Sequence, residues 1–258
     1  MRLLVDLVAK ADAAPDPTYH HKLRGRIWQA LRGTPFDEEH GNGEPIGFVY
    51  SNIFPWGAMA ADDERQVLIA SPREELLTAI AEDFKDNPAF NIGDRPFEIK
   101  DLRVLDIDVG EPTTKGTLET ATGVVVRLFD AHREEFGIED DHDAPTYWRP
   151  KHAIQPFRQA IADNLQYKHE RFLPDYLPGP TDVEGHLFTD YELLKTYSLP
   201  VTVTTDVEID LVLSKWRFEY CVRDDDHRRH LNLALDTGIG GRNGLGFGFL
   251  NRRQADAH

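Results

Sequence analysis

Cysteine and long apolar runs are the scarcest features of this chain of 258 residues. Cys221 stands alone, which excludes an intramolecular disulfide and a metal cage made of thiolates. No apolar run approaches the roughly 20 residues that a membrane-spanning helix needs. The N-terminus enters a predicted strand directly rather than a signal peptide. We therefore expect no membrane partner and a location in the cytoplasm.

Basic residues are also outnumbered, with 29 Lys and Arg against 45 Asp and Glu, which gives a net charge of −16. This balance has the wrong sign for binding nucleic acid, because phosphate contacts need local positive charge. Either the partner is not a polyanion, or the acid is a surface adaptation that leaves basic patches in place. The acidic residues are dispersed and arginine outnumbers lysine. That pattern is typical of proteins that work in concentrated salt, which screens self-repulsion.

Glycine is unevenly distributed, since six of the chain's 19 glycines fall within residues 236–250. Such a cluster indicates a backbone that takes positive φ or lies close against something. We expect residues 238–244 to form an exposed loop that carries Arg242, and residues 245–250 to form a strand beside it. Successive backbone N–H groups in such a loop make a concavity for anions, phosphate above all.

The glycine cluster matches neither of the common phosphate-binding motifs. A dinucleotide fingerprint leads from a strand into a helix, whereas this loop leads into a predicted strand and has Asn243 within it. No Gly-Lys-Ser/Thr follows, so a Walker loop is excluded. A tight hairpin without a ligand stays open as the alternative.

The first half of the chain predicts alternating strands and helices. Tyr19, Leu23 and Ile27 recur at helical spacing, which predicts the core face of a first helix. Gly25 lies inside that helix at a cost of about 1 kcal/mol relative to alanine, which suggests close packing there. The element order is β-α-β-β-α-β, with strands at 2–8, 48–54, 66–70 and 96–109 and helices at 18–32 and 71–84.

After Gly110 the pattern starts again. We expect strands at 123–129, 191–203 and 209–220 and helices at 150–166 and 224–235, with an acidic loop at 134–145 and no assignment for 172–187. The fold class is therefore α+β, with tandem ferredoxin-like (RRM-like, βαββαβ) domains at 1–110 and 111–258 and a C-terminal glycine-rich loop.

This architecture resembles the repeat-associated (RAMP) proteins of CRISPR systems. The pattern Tyr19-x3-Leu23-x-Gly25-x-Ile27-Trp28-x-Ala30-Leu31 is similar to the first helix of the endoribonucleases that cut precursor CRISPR RNA within its repeats. The run from Gly244 to Gly248 is similar to their C-terminal signature. The resemblance covers the whole chain by element order and is specific at its two ends. With the dispersed acid, it implies a halophilic archaeal source.

The resemblance implies cleavage of CRISPR repeat RNA without metal or cofactor and with no DNA required. The 2′-OH attacks the adjacent phosphorus, and the products end in a 2′,3′-cyclic phosphate and a 5′-OH. This chemistry needs a base, an acid and positive charge on the phosphorane. Other subunits of a CRISPR effector complex are further partners that the resemblance allows.

Three histidines are candidates for the catalytic group. The family often places its histidine where His40 stands, in a segment whose glycines allow close approach to a ligand. The pKa of an unperturbed histidine, near 6.5, suits acid–base work. His20 and His21 are the rivals, because they lie at the N-terminal turn of the first helix, which attracts phosphate.

The RNA-binding candidates are the basic residues of the first helix and the glycine loop. Trp28 and Ile46 stand where some relatives carry a tyrosine and a lysine, so the charge on the phosphate must come from elsewhere. A diffuse basic stretch over residues 151–171 fits an RNA-binding face or plain helix amphipathicity equally well. The candidates by residue are Lys22, Arg24, Arg26, Gly238, Gly240, Gly241, Arg242, Gly244, Gly246 and Gly248.

Two other classes of function stay open. A non-catalytic RAMP subunit that holds guide RNA in an effector complex shares the fold and the glycine loop. An acidic α+β protein with a structural glycine hairpin would bind a protein partner and show no RNA affinity at any salt concentration.

Overall fold

The computed structural model describes residues 1–16, 19–39, 44–139, 145–173, 175, 187–204 and 207–253. In these residues, two antiparallel sheets are each covered by helices. None of the described helices combines the length and the apolar character that a membrane crossing requires.

The first sheet is built by residues 2–105. Its strand order is β2-β3-β1-β5-β4, and every pair is antiparallel. Two helices, α1 (Tyr19–Ala30) and α2 (Glu74–Asp86), pack against it. The strands are β1 (Arg2–Ala9), β2 (Val49–Tyr50), β3 (Glu64–Ala70), β4 (Ala89–Ile92) and β5 (Arg95–Leu105).

Strand β1 is buried on both faces at its start. Leu3 and Val5 point into the core beneath the helices. Leu4, on the opposite face, packs with Leu68 and with Phe249 from the far end of the chain. Since side chains alternate along a strand, this continuous burial means that the second half of the chain covers the other face of the first sheet.

The core face of α1 is confirmed, because Tyr19, Leu23 and Ile27 are all buried. The expectation of close packing at Gly25 is wrong. Gly25 is exposed, and no atom lies within 4 Å of where a Cβ would stand. Its hydrogen side chain is therefore not required by packing.

The second sheet is built by residues 115–253. Strand β9 lies at its centre and pairs with β8 on one edge, while β6 and β7 pair in succession with the other edge. β10 adds outside β6. The strands are β6 (Lys115–Thr120), β7 (Val124–Val125), β8 (Asp190–Thr204), β9 (Val207–Cys221) and β10 (Leu250–Arg253).

The described residues of this half form the helices α3 (Asp130–Phe136), α4 (Ile154–Phe172) and α5 (Asp225–Thr237). α3 occupies part of the stretch that was expected to be an acidic loop, so that expectation is wrong for residues 134–136. α4 begins four residues later than predicted and extends to Phe172. Most of the unassigned stretch at 172–187 lies outside the described residues.

The two halves share one strand order. In the first, β2-β3-β1-β5 is the order 2-3-1-4 of the four principal strands, with β4 added beside β5. In the second, β8-β9-β6-β10 repeats the same order. This is the antiparallel arrangement of the ferredoxin-like βαββαβ unit. The α+β fold with tandem ferredoxin-like units is confirmed, and the division of the chain at residue 110 stays a prediction.

Arg2 joins the two halves. It is buried, and its guanidinium donates hydrogen bonds to Leu235 O at 3.1 Å and to Leu250 O at 2.6 Å. The same group lies 4.6 Å from the centre of the Phe249 ring. Because a buried cation is costly unless it is hydrogen-bonded, these partners hold the start of β1 against the end of the chain. The glycine-rich segment between α5 and β10 is thereby fixed at the junction of the two halves.

Candidate active site

The glycine-rich segment has an unusual backbone. Gly238, Gly240, Gly246 and Gly248 all have φ between 68° and 83°. Arg242 also has a positive φ, 62°, which is uncommon for a residue with a side chain. The expectation that the glycine cluster serves left-handed backbone is confirmed at these four glycines.

This segment is packed, not exposed. Gly238, Gly240 and residues 245–249 are buried, and Arg242 is the exposed part of the loop. A Cβ on Gly246 would lie 2.5 Å from the Tyr50 ring. The predicted exposed loop is therefore wrong for most of its length. The predicted strand at 245–250 is also wrong, because a 3-10 turn covers Asn243–Leu245 and the strand begins at Leu250.

Several backbone N–H groups of the segment are already hydrogen-bonded within the protein. Those of Ile239, Gly241, Gly246 and Gly248 donate to backbone carbonyls at 2.7–3.0 Å. Within the described part of the chain, the N–H groups of residues 242–244 take part in no backbone–backbone bond. The predicted anion-binding concavity therefore has these three consecutive N–H groups as its backbone donors.

A cleft of about 370 Å³ opens beside these three donors. It lies between the glycine segment, α1, the residues that lead into β2, and α4. Glu39 and Glu44 also line it, one on each side of residues 40–43. The complete lining is Arg24, Glu39, Glu44, Pro45, Ile46, Gly47, Phe48, Asn164, Lys168, Phe172, Thr237, Gly241, Arg242, Asn243, Gly244 and Leu245.

Two arginines supply positive charge in this cleft. Burial lowers the pKa of Arg24, Tyr50 raises it, and the positive charge of Arg242 lowers it again. Among the described residues, neither side chain has an ion pair or a hydrogen-bond partner. By contrast, Glu39 binds Arg73 at 2.8 Å and Glu44 binds Arg171 at 3.4 Å. The cleft therefore holds uncompensated positive charge in a protein that is strongly acidic overall.

Lys168 on α4 lines the same cleft. Its side chain is 2% exposed, and Nζ donates to Gly238 O at 2.9 Å and to Gly240 O at 3.4 Å. Burial lowers its pKa to about 7. The sequence placed Lys168 only in a diffuse basic stretch, and that stretch is not one surface, because Lys168 and His169 are both buried. Lys168 instead fixes the carbonyls at the start of the glycine segment.

We expect the pH dependence of stability to report this lysine. The unfolded chain holds the Lys168 proton up to about 10.5, whereas the folded protein releases it near 7. The free energy of unfolding should therefore rise with pH between these values, relative to Lys168→Met, and the difference should be flat below about pH 7. Denaturant titrations of both proteins between about pH 6 and pH 10 at fixed KCl concentration measure this. Parallel pH profiles would contradict a depressed pKa at Lys168.

The three candidate histidines are placed differently. His40 lies outside the described residues. His20 is buried beside the glycine segment, with Nδ1 3.0 Å from Leu245 O, and burial lowers its pKa to about 4. His21 is half-buried on α1. Neither His20 nor His21 lines the cleft.

The basic candidates of α1 are likewise divided. Arg24 lines the cleft, as described above. Arg26 is buried in the first half, where it binds Asp83 at 2.9 Å and lies 4.6 Å from the centre of the Phe84 ring. The prediction that Arg26 contacts RNA is therefore corrected, because its guanidinium is already bound inside the core. Lys22 forms an ion pair with Asp16 at 2.8 Å and lies away from the cleft lining.

The two positions that depart from the family pattern are both buried. Trp28 packs against Phe48, with ring centres 6.0 Å apart. Ile46 lines the cleft and faces Gly244, where a Cβ would lie 3.0 Å from its side chain. No charge is therefore available at either position, and among the described residues the basic groups that line this cleft are Arg24, Arg242 and Lys168.

Two ferredoxin-like units with a glycine segment and a basic cleft at their junction define a class of RNA-processing proteins. Residues 109–252 match the family model described as CRISPR associated protein Cas6, C-terminal. The "CRISPR-associated endoribonuclease Cas6" of Haloferax mediterranei is 62% identical over 251 residues, which cover 97% of this chain and 93% of that protein. The chain belongs to the Cas6 family of CRISPR-associated endoribonucleases.

Solved structures agree with this assignment at the level of the fold. A structure described as "CRISPR associated protein Cas6" superposes with a TM-score of 0.71 at 15% identity, and the match covers 98% of this chain and 99% of that one. "An RAMP protein binding different RNA substrates" superposes with a TM-score of 0.65 at 19% identity, over 98% and 100% of the two chains. The resemblance to the endoribonucleases of CRISPR systems is confirmed, and the Haloferax relative agrees with the expected halophilic source.

Proposed function

We propose that this enzyme cuts precursor CRISPR RNA within its repeats, without a metal ion, to give mature guide RNAs. The observation that carries the proposal is the pair of arginines Arg24 and Arg242, which have no partner among the described residues, beside the backbone donors of residues 242–244. Two cations and consecutive N–H groups in one cleft suit a phosphodiester. A location in the cytoplasm stays a prediction.

The reaction assigns one task to each group. The 2′-oxygen attacks the adjacent phosphorus while its proton passes to a base. The bond from phosphorus to the 5′-oxygen then breaks, and that oxygen takes a proton from an acid. The products end in a 2′,3′-cyclic phosphate and a 5′-OH, and the need for a 2′-OH makes the enzyme specific for RNA.

His40 is our candidate for the acid or base. It follows Glu39 directly in the sequence, and Glu39 lines the cleft. Arg24 and Arg242 stabilise the charge that develops on the phosphorane, since fixed positive groups act most strongly where water is partly excluded. The glycine segment then places the RNA backbone through its main-chain donors, and Lys168 holds that segment in shape.

The test is incubation with end-labelled CRISPR repeat RNA in concentrated KCl that contains EDTA. We expect cleavage at one site, with a cyclic phosphate on the upstream product. The matched substrate carries one 2′-deoxynucleotide before the cut site and should bind but stay intact. Binding without cleavage by the wild-type enzyme would favour a subunit that only holds guide RNA. Cleavage that needs a divalent cation would contradict the metal-independent mechanism.

A wild-type enzyme that neither binds nor cuts any of several repeat sequences would contradict the proposal entirely. The glycine segment would then serve only to join the two halves, as in the structural hairpin alternative.

A further inference from the structure

A second cavity, of about 240 Å³, lies at the junction of the two halves. We call it the aromatic pocket and define it by Tyr19, His20, Asn52, Trp56, Tyr197 and Phe247. It shares the glycine segment with the basic cleft, because Phe247 lines the pocket while Leu245 lines the cleft. His20 contacts both of these residues. A ligand that runs along the glycine segment can therefore reach both cavities.

Aromatic rings follow one another in a row into this pocket, with the Tyr19 and His20 rings stacked and the other two pairs tilted. The ring centres of Trp56 and Tyr19 are 4.7 Å apart, and those of Tyr19 and His20 are 4.3 Å apart. The row ends at Phe247, 4.7 Å from His20. Such a row presents a rigid aromatic surface whose order is set by the protein before any ligand arrives.

Trp56 stands at the open end of the row. It is 47% exposed, whereas Trp28, Trp148 and Trp216 are all buried. Arg95, itself 3% exposed, lies 5.7 Å from the centre of the Trp56 ring and donates to Gly57 O at 3.3 Å. The Arg95 guanidinium, which also lies 5.8 Å from the centre of the Phe97 ring, thus makes a cation–π contact that restrains an exposed tryptophan.

The pocket also carries hydrogen-bonding groups of both kinds. The Asn52 side-chain oxygen accepts a hydrogen bond from the Tyr19 hydroxyl. In the described part of the chain, no hydrogen bond uses the Asn52 amide N–H groups, so two donors remain. His20 is neutral and, with Nδ1 donating to Leu245 O, has its Nε2 as an acceptor. Among the described residues that line the pocket, none carries a carboxylate.

We propose that the aromatic pocket takes one unpaired nucleobase of the bound RNA. The inference rests on the proposed function, because it needs RNA in the neighbouring cleft. Bases that are free of pairing are recognised by stacking on aromatic side chains and by hydrogen bonds to their edges. Trp56 provides the stacking surface, and Asn52 and His20 provide a donor and an acceptor for one base edge. Tyr197, on strand β8, closes the side formed by the second half.

The test uses repeat RNAs in which 2-aminopurine replaces one unpaired nucleotide at a time. In the wild-type enzyme, one position should change its fluorescence strongly on binding, and Trp56→Ala should abolish that change. Trp56→Ala should weaken RNA binding by about fivefold to 150-fold, the range of one base–aromatic stack. Trp56→Phe should recover most of the loss, because the aromatic face is restored.

Two controls separate stacking from other effects. Phe129 is 56% exposed and lines neither cavity, so Phe129→Ala should leave binding unchanged. Over a series of KCl concentrations, Arg242→Ala should reduce the salt dependence of affinity by about one counterion, whereas Trp56→Ala should leave that slope unchanged.

The outcomes distinguish the two proposals. Wild-type enzyme that neither binds nor cuts repeat RNA overturns the proposed function and the pocket with it. Wild-type enzyme that binds and cuts, with the same affinity and fluorescence in Trp56→Ala, overturns the base pocket alone.

Discussion

His40→Ala is expected to lose cleavage by about 10²- to 10⁴-fold, the contribution of one general acid or base, while RNA affinity changes little. The variant removes the proton-transfer group and leaves the phosphate contacts in place. We propose that these contacts are made by Arg24, Arg242 and the donors of residues 242–244, and that they hold the RNA before and after the chemical step. Single-turnover cleavage and direct binding, measured on the same repeat RNA, separate the two effects.

Three further histidine variants make this result specific. His132, on α3, binds Asp163 of α4 at 3.0 Å and lines neither cavity. We therefore expect His132→Ala to cut RNA normally. His21→Ala should also retain cleavage. Normal cleavage by His40→Ala, with loss in His20→Ala or His21→Ala, would move the catalytic role to α1. Loss of binding and cleavage together in His40→Ala would indicate a structural role for that residue.

Gly248→Ala is expected to cost about 2 to 5 kcal/mol of unfolding free energy, from the left-handed backbone and the overpacking together. The φ of Gly248 is 76°, and a Cβ there would lie 2.0 Å from Ile239 O. The obstacle is backbone and not the end of a flexible side chain, so it cannot rotate away. The affected hydrogen bond, from Ile239 N to Gly248 O, ties the two ends of the glycine segment together.

Gly25→Ala is the matched control, because the same chemical change falls on an exposed helical position with no atom within 4 Å. It should stabilise the protein by about 0.5 to 1 kcal/mol. Denaturant unfolding and repeat-RNA cleavage should be measured for both variants. Gly248→Ala with wild-type stability and activity would show that the tight packing of the segment is dispensable.

Periodicity and glycine content predicted the ferredoxin-like units because these signals are local. The spacing of Tyr19, Leu23 and Ile27 predicted the core face of α1, and the cluster after Thr237 predicted left-handed backbone. The prediction of close packing at Gly25 was wrong, because a glycine in a helix does not indicate what lies beside it. The strand expected at 245–250 was wrong because tertiary contacts of Phe247 and Phe249 hold a turn there instead.

The candidate site was predictable only in part. Arg24 and Arg242 were named from the sequence among the basic residues of the first helix and the glycine loop, and the glycine cluster marks the segment. Arg26 has the same local chemistry as Arg24, but it points to Asp83 and the core. Two residues that are two positions apart on a helix lie on different faces, and the sequence does not say which face is covered.

The sequence by itself determined the α+β class, the alternation of helices and strands, and the segment in which the backbone takes positive φ. Each of these follows from forces between near neighbours along the chain. Only the tertiary structure decided that Lys168 holds the glycine carbonyls, that Arg24 and Arg242 share a cleft, and that Trp56 heads a row of rings. These groups come from distant segments, and they meet because the second half of the chain packs on the sheet of the first.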